Sequence, residues 1–285
     1  MLNKNRIVYI SDLFLSDIVG GGELNDHELL RLLELKNFSI KKERSHKVSL
    51  PFVQENIDSC FIISNFINLS DRVKDFLQAE CAYIIYEHDH KYLKSRNPAA
   101  YKDFIAPKSE LININFYKNA KSVFCQSSFH KGIIEKNLDI DNVVNISGNL
   151  WTKEALNTMK ILSKKPKNSA YSIMNSPIPH KNTKEAVFYC EKKGLEYALI
   201  SSPNYQEFLS LLSNNDKFMF LPKTPETLSR VVVEARMMGI KTVTNKNIGA
   251  SYEPWFSLKG EDLIKVIENK RQEIPNLVIG AFNER

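Results

Sequence analysis

Two glutamates stand out by type and spacing. In the stretch Phe218-Met-Phe-Leu-Pro222-Lys-Thr-Pro-Glu226-Thr-Leu-Ser-Arg230-Val-Val-Val-Glu234-Ala-Arg-Met-Met-Gly239, a strand pattern runs into a proline-containing loop and then a helical pattern. The spacing predicts a helix over 228–238, with Gly239 as its stop. Eight residues of helix would set Glu226 and Glu234 about 12 Å apart, at about 1.5 Å per residue. Amides at the helix start, Thr227, Leu228 and Ser229, would lie between them, ready for phosphate oxygens. Carboxylates so placed can grip both ends of a nucleoside-diphosphate sugar. Plainer roles are also open. Glu226 can complement the helix dipole. Glu234, among Val231–Val233, Ala235, Met237 and Met238, needs donors if buried, and Arg230 at i−4 can supply them as a structural ion pair.

Three further clusters carry candidate chemistry. Lys181, in His180-Lys181-Asn182, follows a strand pattern at Ala170–Met174 and precedes a helical one at Thr183–Lys193; it is a cation for an anionic ligand or a solvated loop lysine. Gly20, Gly21 and Gly22 open the first helix, allowing close backbone approach and positive φ. Asn25 stands where GxGxxG needs a third glycine, so a dinucleotide site is poorly supported. Glu87-His88-Asp89-His90 follows the strand Ala82–Tyr86, an improbable run for a core. His88 and Asp89 are candidates to act on a substrate. Consecutive residues rarely converge on one metal ion, so no metal is expected. Asp139-Ile-Asp141 precedes a strand and reads as a turn.

The elements that hold these residues alternate. Strand patterns at 7–11, 60–64, 82–86, 122–126 and 142–146 are separated by helical ones, including 23–35 and 69–77. The alternation restarts at 170–174 and runs through strands at 197–201, 217–221 and 241–245 to a last helix near 261–270. This is an α/β chain with parallel sheets. The polar segment Lys164–Ser169 with Pro166 reads as a linker, giving two Rossmann-like domains over 1–155 and 165–285. Ligands in such sheets bind beyond the carboxyl ends of the strands, here expected in a central cleft.

Composition narrows the classes further. The 285 residues include 43% hydrophobic and 25% charged side chains, which excludes a disordered chain. No apolar run approaches the length of a membrane span. The start lacks the long apolar run and cleavage site of a signal peptide, and four scattered cysteines fit buried thiols in a reducing cytoplasm. Residues 1–155 carry 20 basic and 20 acidic side chains; residues 156–285 carry 19 and 13, the whole net charge of +6. That modest, one-sided excess suits a small dianionic ligand as well as a polymer. Local basic stretches at Lys41–Lys47 and Lys91–Lys102, with Lys94 and Arg96, would track phosphates if DNA were bound.

Strand, P-x-x-x-E, seven residues, E-A-x-x-x-G and strand resemble the nucleotide-binding segment of GT-B glycosyltransferases, specifically glycosyltransferase family 4. The wording around 226–250 looks most like short glycosyltransferases carried by tailed phages. The resemblance implies a GT-B fold and a retaining, metal-independent hexosyl- or pentosyltransferase without a cofactor, using a nucleoside-diphosphate sugar as donor. It places Glu226 at the sugar, Glu234 at the ribose, Thr227–Ser229 beside the sugar or diphosphate, and Lys181 and Gly20–Gly22 at the diphosphate. Arg230 or His180 would replace a diphosphate arginine that is absent near Asn175. Gly-Phe-Gly usually follows the first glutamate; here Thr-Leu-Ser does. His88 and Asp89 would lie near the transferred sugar. The acceptor would be a glycan or a hydroxymethylated DNA base. An epimerase or hydrolase of the same architecture, or a non-catalytic nucleotide-sugar binder, are the alternatives.

Overall fold

The computed structural model describes residues 3–283. The chain forms two compact units, unit 1 from Met1–Leu150 with Arg271–Arg285, and unit 2 from Trp151–Lys270.

Unit 1 contains β1 (Asn3–Ser11), α1 (Gly21–Glu34), β2 (Ser39–Arg44), α2 (Leu50–Glu55), β3 (Ser59–Ile63), α3 (Asp71–Glu80), β4 (Ala82–Tyr86), α4 (Ile114–Lys118), β5 (Val123–Cys125), α5 (Ser128–Asn137) and β6 (Val143–Asn145). The strands form one parallel sheet in the order β2-β1-β3-β4-β5-β6. Side chains alternate across it. Val8, Ile10, Phe61 and Ile63 feed one core, and Ile7, Tyr9, Cys60 and Ile62 feed the other. Burial on both faces explains why β3 and β4 read as unbroken apolar runs. Helices start at side-chain caps: Ser70 Oγ accepts from Val73 N at 3.4 Å, and Ser127 Oγ from His130 N at 3.1 Å.

Unit 2 contains α6 (Lys153–Ser163), β7 (Asn168–Met174), α7 (Thr183–Lys193), β8 (Tyr197–Ile200), α8 (Tyr205–Ser213), β9 (Asn215–Phe220), α9 (Arg230–Met237) and β10 (Lys241–Thr244). Its parallel sheet runs β10-β9-β7-β8. In each unit the chain leaves one strand to one side and returns on the other. The reversal falls between β1 and β3 in unit 1 and between β7 and β9 in unit 2, where loops diverge into a crevice.

The unit boundaries differ from those expected. Trp151 and α6 belong to unit 2, because Trp151, Ala155, Leu156 and Met159 join its core. The last helix, α10 (Gly260–Gly280), runs far past Lys270 and contains Pro275. Leu263, Ile264 and Ile267 pack in unit 2, whereas Ile274, Val278, Ala281 and Phe282 pack with Tyr9, Leu29 and Tyr86 in unit 1. A buried ion cluster fixes that second half. Glu28, fully buried on α1, accepts from Arg271 Nη1 and, at 2.9 and 2.7 Å, from Arg31. Among the described residues, no helix is long and apolar enough to cross a membrane.

Candidate active site

In unit 2, Lys181 follows β7 and Glu226 follows the adjacent β9. Lys181 Nζ donates to both oxygens of the Glu226 carboxylate, at 2.8 and 3.0 Å. Their loops are tied at several points. Lys223 N donates to His180 O at 2.8 Å, and Asn182 Nδ2 to Leu221 O at 2.8 Å. Glu226 N donates to Asn247 O at 2.8 Å, and its carbonyl accepts from Gly249 N at 2.9 Å, a parallel bridge to Ile248.

That bridge corrects the expectation of a helix starting at Leu228 with Glu226 at its mouth. Ala250 N donates to Leu228 O at 2.9 Å, which holds 226–228 against the 247–250 segment and delays α9 until Arg230. Glu226 therefore precedes the helix rather than sitting at its mouth. Leu228 is buried in the core. Ser229, the residue before α9, takes φ 75° and ψ 82°, a left-handed conformation that costs a side-chain-bearing residue and suits glycine. Its hydroxyl is buried, caps no amide and has no hydrogen-bond partner.

Glu234 is buried on α9. Its Oε1 accepts from Trp151 Nε1 at 2.9 Å and from the Tyr205 hydroxyl at 2.7 Å, with Arg230 Nε at 3.7 Å. The Arg230 guanidinium lies 4.2 Å from the Trp151 ring centre, an arrangement favoured by the ring's negative face. Burial, and then the Glu234 charge, push the Tyr205 hydroxyl well above its ordinary range. Tyr205 therefore stays a donor to the carboxylate.

In unit 1, Gly20 is extended and gives α1 no side-chain cap, but the Glu23 carboxylate folds back on the first turn and accepts from its own amide. None of Gly20, Gly21 and Gly22 has a positive φ, contrary to expectation. A Cβ on Gly22 would make only an ordinary 3.7 Å contact with the His88 ring, whereas one on Gly20 would run into Glu23 Oε2.

His88, in the loop after β4, joins a chain of side chains along the carboxyl ends of β3, β4 and β5. Its Nε2 hydrogen-bonds Asp26 Oδ1, and its Nδ1 lies 2.6 Å from Gln126 Nε2. The amide donates to Nδ1, so Nε2 carries the proton and gives it to the carboxylate. Ser64 Oγ donates to Asp26 Oδ2 at 2.6 Å. Asp26 thus stands where Asp89 was expected. The Asp89 carboxylate instead meets Arg96 at 3.2 Å, while its carbonyl accepts from His130 Nε2 at 3.0 Å.

The remaining residues of the 87–96 run serve the fold. Glu87 is buried and accepts from Lys91 Nζ, from the Tyr117 hydroxyl and, at 2.8 Å, from Asp89 N. His90 Nδ1 pairs with the Tyr92 hydroxyl at 3.0 Å, and burial pushes His90 down to about 3. Of the basic stretch expected to track phosphates, Lys91 is withdrawn because it is buried on Glu87, whereas Lys94 and Arg96 stay half-exposed in surface pairs with Glu110 and Asp89. His88, Asp89 and His90 point to three separate partners, and Asp139 and Asp141 lie in the turn before β6. Among the described residues, no three His, Cys, Asp or Glu side chains are grouped to hold a metal ion.

No protein-family model matches the chain, and no curated protein sequence matches it. Solved structures do. Sucrose-phosphate synthase from Thermosynechococcus elongatus superposes with a TM-score of 0.64 at 9% identity, covering 98% of this chain and 99% of that one. The catalytic domain of starch synthase IV from Arabidopsis thaliana, bound to ADP and acarbose, gives 0.56 at 7% identity, covering 98% and 95%. Anabaena HepE in complex with UDP gives 0.52 at 14% identity, covering 97% and 93%. The fold is GT-B.

Within this GT-B chain, the structure brings Lys181 to Glu226 and Arg230 to Glu234, each pair inside unit 2. It reveals partners that sequence reading passed over: Trp151 and Tyr205 on Glu234, and Asp26, Gln126 and Ser64 around His88. Buried Tyr and Trp polar atoms need acceptors, and that need was the available signal for the first two. Chemically, unit 2 offers one cation, a partly shielded carboxylate and a buried, oriented carboxylate near a strand crossover. Unit 1 offers an oriented imidazole beside a glycine-led helix start.

Proposed function

We propose that this chain is a retaining, metal-independent glycosyltransferase that moves a sugar from a nucleoside-diphosphate donor to an acceptor hydroxyl. The Lys181–Glu226 pair at the β7/β9 crossover carries the reading. A lysine held on a carboxylate beside a helix start supplies positive charge for a leaving diphosphate and an acceptor for sugar hydroxyls. Oriented charge of this kind stabilises a developing anion without a metal. The amides of Arg230 and Val231 add the helix terminus. Both hydrogen bonds to Glu234 and its Arg230 contact fall on Oε1, so Oε2 is assigned to a ribose hydroxyl. Gly20–Gly22 present backbone donors suited to an anion, and His88, held by Asp26, is assigned to the transferred sugar. The acceptor oxygen bonds to the anomeric carbon on the face from which the diphosphate departs, and its proton passes to the leaving phosphate, so the anomeric configuration is retained.

The likeness of the fold to enzymes solved with UDP and with ADP supports the donor class. The test is thermal stabilisation by UDP-, ADP- and GDP-sugars, since a ligand of the native state raises the melting point by mass action. Transfer is then assayed in EDTA, and the anomeric configuration of the product is read by NMR. Loss of turnover in EDTA, or an inverted product, would refute the corresponding part.

A further inference from the structure

Unit 1 contains a cavity of about 350 Å³ beside the loop from β1 to α1, reaching α1 and β2. That volume sits at the small end of the roughly 300–1,000 Å³ of small-molecule sites, which suits one ring and not a polymer. Five polar side chains line it: Ser16, Glu23, Asp26, His27 and Lys42. Among the described residues, Ser16, His27 and Lys42 make no side-chain hydrogen bond or ion pair, and the Glu23 carboxylate accepts only from its own amide. Their neighbours are engaged. Arg44 is paired with Asp17 at 2.6 Å, and Asp26, also on the cavity wall, is held by Ser64 and His88.

The unengaged groups are a hydroxyl, an imidazole and an ammonium, with the Glu23 and Asp26 carboxyls beside them, so donors and acceptors are mixed around one small volume. Phe14 and Leu30 add apolar walls. Alternating donors and acceptors match ring hydroxyls, and apolar walls match the C–H face of a sugar. Glu23 is partly desolvated, which raises its carboxyl above the usual range; a neutral hydroxyl partner therefore suits it better than a phosphate. Two carboxylates, Glu23 and Asp26, face a single lysine, a balance that repels a polyanion.

We infer that this cavity binds one neutral sugar ring, the acceptor residue of the transfer proposed above. The inference rests on that reading for the word acceptor, while the binding itself stands on unit 1 alone. Asp26 links the two, because it lines the cavity and fixes His88.

The experiment is saturation-transfer NMR of the whole chain, without nucleotide, against the methyl glycosides of glucose, galactose, mannose and N-acetylglucosamine. Ser16 and Lys42 are both exposed, so the double variant Ser16→Ala/Lys42→Ala should keep the fold. At least one glycoside is expected to bind, and the double variant to weaken it at least tenfold while UDP and ADP affinities stay unchanged. Glycoside binding without any UDP, ADP or GDP binding would support the cavity and sink the transferase reading. No glycoside binding, or equal binding to the variant, would overturn the inference. So would tight binding of a hydroxymethylated DNA duplex that the double variant loses.

Discussion

Replacing Glu226 by Gln should tighten the binding of a bare nucleoside diphosphate while slowing sugar transfer. In the ligand-free chain Lys181 Nζ is already held by both Glu226 oxygens, at 2.8 and 3.0 Å. The N–H bonds of an ammonium diverge tetrahedrally, so a diphosphate oxygen taken by the same group at about 2.8 Å would stand roughly 4.6 Å from the carboxylate oxygen. At an effective dielectric of about 20, that like-charge contact costs about 3.6 kcal/mol. Both side chains are partly exposed, 23% for Lys181 and 15% for Glu226, so solvent screens much of it. A gain of roughly 1–2 kcal/mol should survive, a factor of about 5–30 in affinity. Calorimetric titration of UDP and ADP into wild type, Glu226→Gln, Lys181→Ala and the double variant reads it. Lys181→Ala should weaken both ligands, and the gain from Glu226→Gln should vanish once Lys181 is absent. Unchanged or weaker binding by a folded Glu226→Gln chain would show that Lys181 does not meet the diphosphate.

Glu234→Gln keeps an oxygen for Trp151 and Tyr205, so the fold should hold while nucleotide affinity drops by about 1–3 kcal/mol, the range for a hydrogen bond to a charged group; equal calorimetric affinities would count against a ribose contact. Glu28→Gln leaves the buried Arg271 uncompensated, and urea unfolding should show a loss of about 3–5 kcal/mol. Ser229→Gly should raise thermal stability by about 1 kcal/mol, because it removes a left-handed serine and an unpartnered buried hydroxyl; a lower melting point would refute the strain. His90, held at about 3 in the fold, binds its proton only on unfolding, so its contribution is complete above about pH 6.5 and is lost as pH falls toward 3. Lys91, His130 and Tyr92 are the groups around it. His90→Gln should lower the acid slope of urea stability by about one proton, near 1.4 kcal/mol per pH unit; an unaltered slope would assign the sensitivity elsewhere.

The parallel sheets were legible because β3 and β4 are apolar runs and β9 ends in one at Phe218–Phe220, and the glutamate pair because its spacing sits between a strand and a glycine stop. Other elements left weaker marks. β2 is an edge strand whose Ser-Ile-Lys-Lys-Glu-Arg pattern reads as a charged loop, since only one neighbour covers it. The late start of α9 depends on backbone pairing with 247–250, about twenty residues away, which local propensity cannot report. Asp26 looks like an ordinary helical residue until β4 delivers His88 to it across 62 positions. The last helix was expected near 261–270, yet it runs on through Pro275 because Ile274 and Val278 bury fully on either side of the proline.

The split membership of α10 sets the order in which this chain can mature on the ribosome. Unit 1 is discontinuous: Ile274, Val278, Ala281 and Phe282 complete the core around Tyr9, Ile62 and Tyr86. All of unit 2 must be translated before those residues exist. At about 5–20 residues per second the delay is on the order of ten seconds. Through that interval the sheet face shared with α1 is only partly covered, with the carboxylate of Glu28 awaiting Arg271. Nascent unit 1 is thus a natural client for chaperones that cover apolar surface, and its native state is reached only when the last helix closes over it.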